Sequence, residues 1–330
     1  MKITLLVLVF TLGISSFILT YLIIRIAVKR KIVSIPNERS LHSIPTPVGG
    51  GVAIVLTWYV GISFLYFLGF LESRLYFALL SGIVITIVSL IDDLIDLPVS
   101  IRLFFHFVTA IIAFIFLGGL RKLIIPGFEF DYTFLIYPVA IIGMVWFINL
   151  FNFMDGVDGF ASLEAIIICL VMFFLSGSIV NLLLVACVLG FLYWNWPKAK
   201  IFMGDVGSTQ LGFILIVLGI YFHNTLKFSI LNWIMLSSPF WFDATLTLYR
   251  RWRNGENLKQ AHKKHAYQRI VQYGFSHLRV NFSLLVINII LILVIALYRE
   301  FKILQIPLFT FTLIFYYLIT RHIDKKVPFK

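Results

Sequence analysis

Six aspartates gather in three short polar segments of a chain that is otherwise close to hydrocarbon: IDDLID (Asp92, Asp93, Asp96), NLFNFMDGVDG (Asp155, Asp158) and FMGDVGS (Asp205). An ionised carboxylate beside hydrocarbon is costly and usually functional, so acids at the ends of apolar runs point to a divalent metal and a phosphorylated ligand. In IDDLID, helical spacing sets Asp92 and Asp96 one turn apart and Asp93 three residues from Asp96, so all three are expected to face one locus. Like charges that close need a cation or a raised pKa. A solvated helix end is the plainer alternative.

Other polar segments supply complementary chemistry. Asn149, Asn152, Asp155 and Asp158 recur every three residues, with Gly156 and Gly159 allowing tight turns or close backbone approach. Amides and carboxylates together suit hydrogen bonding to a nucleotide or sugar as well as metal ligation. Asp205 stands between two glycines and three residues after Phe202, which suits a metal ligand with amides near a diphosphate and a ring near a base. For Phe202, ordinary packing is an equal reading. The segment PNERSLHSIPTPVGGG (36–51) joins Arg39 and His42 to a Pro-Thr-Pro break and three glycines, a layout that bends the chain and brings amides to an anion. A flexible hinge before the next span explains it as well.

The longest polar loop, YRRWRNGENLKQAHKKHAYQR, carries Arg250, Arg251, Arg253, His262, Lys263, Lys264, His265 and Arg269. Its first arginines suit anionic lipid headgroups as well as a substrate. His262 and His265 among lysines read better as an anion clamp than as a zinc site, since the lysines oppose a cation. Asp243, in an apolar run, is expected to pair with Arg250 or a loop histidine.

These segments need a scaffold. With 61% hydrophobic and 13% charged residues in 330, a soluble domain is excluded and an all-α polytopic membrane protein is expected. Cys169 and Cys187 lie in apolar runs without ligand spacing and read as packing residues. The run from Ile3 to about Ala27 reads as a first transmembrane helix, not a cleaved signal. Hydropathy gives eleven spans: 3–27, 48–70, 74–91, 101–118, 134–150, 160–176, 178–194, 208–223, 229–249, 279–297 and 303–320. The sixth and seventh are divided only by the weakly polar LSGSIVN.

With the N-terminus outside, the inner segments hold 19 Lys and Arg against seven outside, a firm orientation. The C-terminus is then cytoplasmic, the net charge of +12 belongs to the inner face rather than to nucleic acid binding, and all polar motifs share that face. One domain is expected over 1–330, with its motifs in 36–269. The last two helices and the tail (279–330) are expected to serve as scaffold or as a subunit contact in a homodimer.

The ordered set PTPVGGG, IDDLID, NLFNFMDGVDG, FMGDVGS and HKKHAYQR is similar to the polyprenyl-phosphate N-acetylhexosamine-1-phosphate transferases. Members of that family include the phospho-MurNAc-pentapeptide translocase and the enzymes that initiate O-antigen and enterobacterial common antigen. The resemblance implies that Asp205 binds magnesium, or manganese in its place, with Asp93 as a further ligand. It implies that Asp92 and Asp93 are paired catalytic aspartates and that Asn149, Asn152, Asp155 and Asp158 serve the nucleotide site, with Phe202 near uracil. Arg39 and His42 join the substrate-binding set, and the stretch with His262, Lys263, His265 and Arg269 resembles a histidine-rich loop that varies with the sugar. Here it departs from the three consecutive histidines of the peptidoglycan branch and is closer to the HxxHAYQ form of O-antigen initiating enzymes. The implied donor is a UDP-N-acetylhexosamine, with N-acetylglucosamine, N-acetylfucosamine or N-acetylquinovosamine as the sugar. The implied acceptor is undecaprenyl phosphate, held among membrane lipids of the bacterial plasma (inner) membrane.

On this reading a lipid phosphate oxygen attacks the sugar-linked phosphorus and UMP leaves. A phosphate monoester is largely dianionic near pH 7, its second pKa being about 6, so Asp92 and Asp93 are expected to place the metal or the lipid phosphate rather than to act as an obligatory base. An aspartyl-phosphate route stays open. A magnesium-dependent intramembrane prenyltransferase would leave FMGDVGS and the histidine loop without a task, and a transporter would carry its acids near mid-membrane.

Overall fold

The computed structural model describes residues 2–36, 40–125, 128–130, 132–260 and 262–329. Long runs of Leu, Ile, Val and Phe with few breakers satisfy their own backbone groups as helices, which is what a hydrocarbon environment demands. In chain order these are α1 (Lys2–Arg30), α2 (Gly51–Phe67), α3 (Ser73–Leu80), α4 (Ile83–Ile95), α5 (Val99–Phe116), α6 (Thr133–Phe153), α7 (Phe160–Ser176) and α8 (Ile179–Asn195). There follow α9 (Asp205–Asn224), α10 (Ile230–Leu236), α11 (Ser238–Arg253), α12 (Ala266–Gln272), α13 (His277–Glu300) and α14 (Gln305–Lys326). Two antiparallel ribbons, β1 (Val33–Ser34) with β2 (Thr46–Pro47) and β3 (Leu123–Ile125) with β4 (Phe128–Phe130), lie in the connections.

Seven apolar stretches among the described residues are long enough to cross a membrane: α1, α3 with α4 as one run, α5, α6, α9, α13 and α14. Helices α2, α7 and α8 are apolar but only 17 residues long. Together these ten stretches correspond to ten of the eleven expected spans. The expected span 229–249 is broken, because Ser237 ends α10 and Pro239, early in α11, removes an amide that a continuous helix would use. The division inside LSGSIVN is real: Gly177 takes a left-handed turn (φ +67°) between α7 and α8.

Helix α9 is the hub. It is buried along almost its whole length and packs against α2, α4, α6 and α7. Its polar residues tie that packing together: Gln210 Nε2 donates to the Tyr59 hydroxyl (2.7 Å), the Thr86 hydroxyl donates to Gln210 Oε1 (3.2 Å), and Ser89 and Thr209 share a bond of 3.1 Å. Each satisfies a polar group that the apolar interior would otherwise penalise.

The start of α9 meets the start of α2 at two glycines. A Cβ on Gly51 would stand 2.3 Å from the Gly207 Cα and 2.9 Å from the Met203 carbonyl, backbone atoms that cannot step aside. Gly51→Val is therefore expected to destabilise the protein by about 3 kcal/mol, read as a lowered thermal unfolding midpoint in detergent. An unchanged midpoint would mean that the two helix ends are not in contact.

Candidate active site

Sequence-distant motifs are joined by backbone bonds at this helix junction. The Phe202 amide donates to the Pro47 carbonyl (2.8 Å), and the Gly50 and Gly51 amides donate to the carbonyls of Phe202 and Met203 (3.0 and 2.9 Å). PTPVGGG and FMGDVGS thus form one seam. Gly204 supplies a left-handed backbone (φ +76°) that only glycine adopts readily, and it delivers Asp205 as the first residue of α9. A carboxylate there is favoured by the helix dipole.

Around Asp205 lies a cavity of about 280 Å³ lined by His42, Asn152, Asp155, Asp158, Phe202 and Gln268 among others. His42 and Phe202 meet edge to face at 4.9 Å, and His42 Nε2 is buried without a partner among the described residues. Asn152 donates to the Ser208 hydroxyl (3.0 Å) and lines the cavity beside Asp205. Arg39 lies outside the described residues.

The IDDLID acids reach this cavity through one cation. Arg102 of α5 donates from Nη1 to Asp92 Oδ2 (2.6 Å) and to Asp205 Oδ2 (3.3 Å), and the Leu97 amide donates to Asp92 Oδ1 (2.7 Å). Asp92 is buried and fully engaged, whereas Asp93 is exposed and lies in the fields of Asp205 and Asp92. Asp96 corrects the expectation of three acids at one locus. It ends α4 in a left-handed conformation (φ +50°) and is exposed, because the helix stops before a third acid can share the face.

The turn between α6 and α7 divides its polar residues between tasks. Asp155 faces the cavity, where burial and then the charges of Asp205 and Asp158 hold its carboxyl well above the usual carboxylate range. Asp158 is a clamp: its Oδ2 accepts from the Ala199 amide (3.1 Å) and lies 3.1 Å from His277 Nδ1, while its carbonyl accepts from Asn281 (2.9 Å). Asn149 does not line the cavity. It donates to its own helix at the Val145 carbonyl (2.7 Å) and turns toward His106 of α5.

The histidine loop is anchored from two sides. Asp243 of α11 accepts from the Ala266 and Tyr267 amides (2.8 and 3.2 Å), filling the role of a cap for α12, and stands 3.8 Å from His265 Nδ1. Tyr267 donates to the Phe153 carbonyl (2.9 Å) and accepts from the Gly156 amide (3.0 Å), which locks α12 against the turn between α6 and α7. His265 is buried in this anchor, and His262, Lys263 and Arg269 line a second cavity on the far side of α12. Of the loop residues, Gln268 is the one that faces the acidic cavity.

Burial, then the charges of His265 and Arg251, push His262 down to about 3. His262 is therefore neutral at pH 7 and acts through hydrogen bonds, not as a cation. Because the unfolded chain takes up this proton near pH 6.5 and the folded loop does not, stability is expected to fall as the pH drops below about 6.5. His262→Gln should flatten that slope, as followed by unfolding midpoints between about pH 5 and 7.5. An equal slope in the variant would place the titration elsewhere.

Asp155 and Asp205 offer hard oxygen donors at one open cavity, with Asp93 outside its lining but in the field of Asp205. Among the described residues no three His, Cys, Asp or Glu side chains converge tightly enough to cage a metal. That set fits magnesium, which keeps several waters and binds through one or two carboxylates plus substrate phosphates. The excess of carboxylates over the single Arg102 guanidinium leaves charge for such an ion to neutralise. Composition marked Arg102 only as one inner cation, Tyr267 and Gln268 stood inside HKKHAYQR without a role of their own, and His277 carried no signal.

The glycosyl transferase family 4 model matches residues 75–223. The chain is 31% identical to a probable undecaprenyl-phosphate N-acetylglucosaminyl 1-phosphate transferase of Bacillus subtilis over 292 residues, covering 84% of this chain and 79% of that protein. It is 30% identical to the undecaprenyl-phosphate alpha-N-acetylglucosaminyl 1-phosphate transferase of Thermotoga maritima, covering 83% and 86%. A phospho-N-acetylmuramoyl-pentapeptide-transferase of Streptococcus gordonii is 29% identical over 64% of this chain and 70% of its own.

Proposed function

Since this chain belongs to glycosyl transferase family 4, we propose that it transfers N-acetylglucosamine 1-phosphate, or a related N-acetylhexosamine 1-phosphate, from a UDP-sugar to undecaprenyl phosphate. It is a sugar-phosphate transferase of the bacterial plasma membrane with many crossings. The observation that carries the reading is the seam of PTPVGGG and FMGDVGS, which sets Asp205, Asp155, Asn152 and Phe202 around one cavity. Two of the relatives carry N-acetylglucosamine in their names, which favours that sugar over its 6-deoxy analogues. The product would begin an O-antigen or another cell-surface polysaccharide.

In the reaction, an oxygen of undecaprenyl phosphate bonds to the sugar-linked phosphorus, the bond from that phosphorus to the UMP oxygen breaks, and UMP leaves. Both reactants are anionic, so electrostatic placement dominates the work of the site. Asp205 and Asp93 would hold a magnesium ion, which when bound supplies charge neutralisation for the diphosphate. Asp92, with its oxygens already engaged by Arg102 and Leu97, is suited to positioning rather than to proton abstraction. Asn152, Asp155 and His42 Nε2 offer bonds to the nucleotide, and the Phe202 and His42 rings offer it an apolar surface. The histidine loop contributes neutral His262 with Lys263 beside the sugar. A prenyltransferase or a transporter leaves the family match without explanation.

The test is UMP release by the purified protein with undecaprenyl phosphate, magnesium and a panel of UDP-N-acetylhexosamines. Release that depends on lipid and on one or a few sugars supports the reading. No release and no UDP-sugar binding by folded protein would sink it.

A further inference from the structure

Helix α12 separates two cavities. Gln268 lines the acidic one, and the next residue, Arg269, lines a second of about 610 Å³ together with Arg251, His262, Lys264 and Phe329. Two guanidinium atoms there, Arg251 Nη1 and Arg269 Nε, are buried with no acceptor among the described residues, on residues each 3% exposed. An unmet donor on a buried cation is costly, and it marks a place for a ligand rich in acceptor oxygens.

One wall of this second cavity comes from far along the chain. Asp324, in the last turn of α14, accepts from Arg250 Nη1 and Nη2 (3.1 and 3.0 Å) and lies 2.8 Å from Arg269 Nη2. Arg269 also donates to the Val327 carbonyl. The Phe329 ring lies 5.3, 5.7 and 5.5 Å from the charged groups of Arg250, Lys264 and Arg269, within cation–π range of each. Arg250 belongs to α11 and Arg269 to α12, so one carboxylate fixes the two flanks of the loop relative to each other. The forked geometry at Arg250 sets direction as well as distance. Without Asp324 the two guanidinium groups would repel and the flanks would part.

We propose that the end of α14, through Asp324 and Phe329, is a positioning and specificity-determining element for the sugar donor. It holds the basic loop so that the second cavity, with Arg251 and Arg269, takes the sugar end of the donor while the diphosphate stays at Asp205. The inference rests on the reading of the protein as a UDP-sugar transferase. Asp324 and Phe329 touch the loop, not the reacting atoms, so they act on donor affinity and choice ahead of the chemical step.

The experiment compares the full chain with Asp324→Asn, Asp324→Glu and Phe329→Ala, each purified in detergent. UMP release is measured with UDP-N-acetylglucosamine and UDP-N-acetylgalactosamine, and hydrogen exchange is followed in residues 254–265. For Asp324→Asn the expected result is a donor KM raised roughly tenfold, with kcat and the undecaprenyl phosphate KM within about twofold of the parent. The ratio of kcat/KM between the two donors should shrink, loop exchange should rise, and Asp324→Glu should recover part of each change. An active parent with an unmoved donor KM and donor ratio in the folded variants overturns this inference alone. So does a lowered donor KM, which would make the tail an obstruction. A parent inactive with every donor overturns the transferase reading and this inference with it. Should Asp324→Asn fail to fold, Phe329→Ala carries the same comparison.

Discussion

Asp205→Asn is expected to cut UMP release by about a hundredfold to a thousandfold while leaving the fold nearly intact. The substitution keeps size and shape at the first residue of α9, and Arg102 keeps its shorter bond, to Asp92. What disappears is the charge at the point where the seam of PTPVGGG and FMGDVGS meets the acidic cavity. Activity measured over a magnesium series, beside an unfolding midpoint, separates the two effects. Loss of activity that saturating metal restores would indicate weakened metal affinity. Loss that no metal concentration restores would indicate that Asp205 also shapes the transition state. Full activity without the carboxylate would remove Asp205 from the chemistry.

Arg102→Met is expected to have the largest effect on stability among the site residues. Asp92 is buried, and Arg102 is its one cationic partner among the described residues, at 2.6 Å. Removing the cation strands that carboxylate beside Asp93 and Asp205. Breaking a buried pair costs several kcal/mol, but the Arg102 side chain is 32% exposed and solvent screens part of the field, so the expected loss is about 1–3 kcal/mol. Excess magnesium should return part of that loss by meeting the same carboxylates. A midpoint measured in chelator and again in magnesium checks both statements. An Arg102→Met protein as stable as its parent in chelator would mean that the acids are relieved by protonation instead.

Much of the site was legible because polar residues stand out against hydrocarbon. Asp155, Asn152, Asp205, Phe202 and His42 were each marked by composition and spacing, and the structure brings them to one cavity. The roles of Asp158 and Asn149 were not legible. Both match the three-residue pattern, yet Asp158 lines the cavity while also holding Ala199, His277 and Asn281, and Asn149 bonds its own helix. Arg102 and Asp324 were missed for a related reason. A charge on an inner segment looks like topology until its partner is known, and Asp324 finds Arg250 74 residues away. The all-helical membrane class followed directly from composition. The broken ninth span did not, because a window average over 229–249 conceals the local effect of Ser237 and Pro239.

The burial of α9 has a consequence for how the protein is made. Its sequence is apolar enough to enter a bilayer, yet in the finished fold it is enclosed by helices from both earlier and later in the chain. During synthesis α2–α7 emerge first, so the helices that flank α9 must leave its place open until it arrives, and α10 can pack on it only afterwards. Asp205 travels on the leading residue of that late helix. A chain interrupted before α9 therefore holds the IDDLID and NLFNFMDGVDG acids without Asp205, and no complete catalytic centre can exist until that helix has been made.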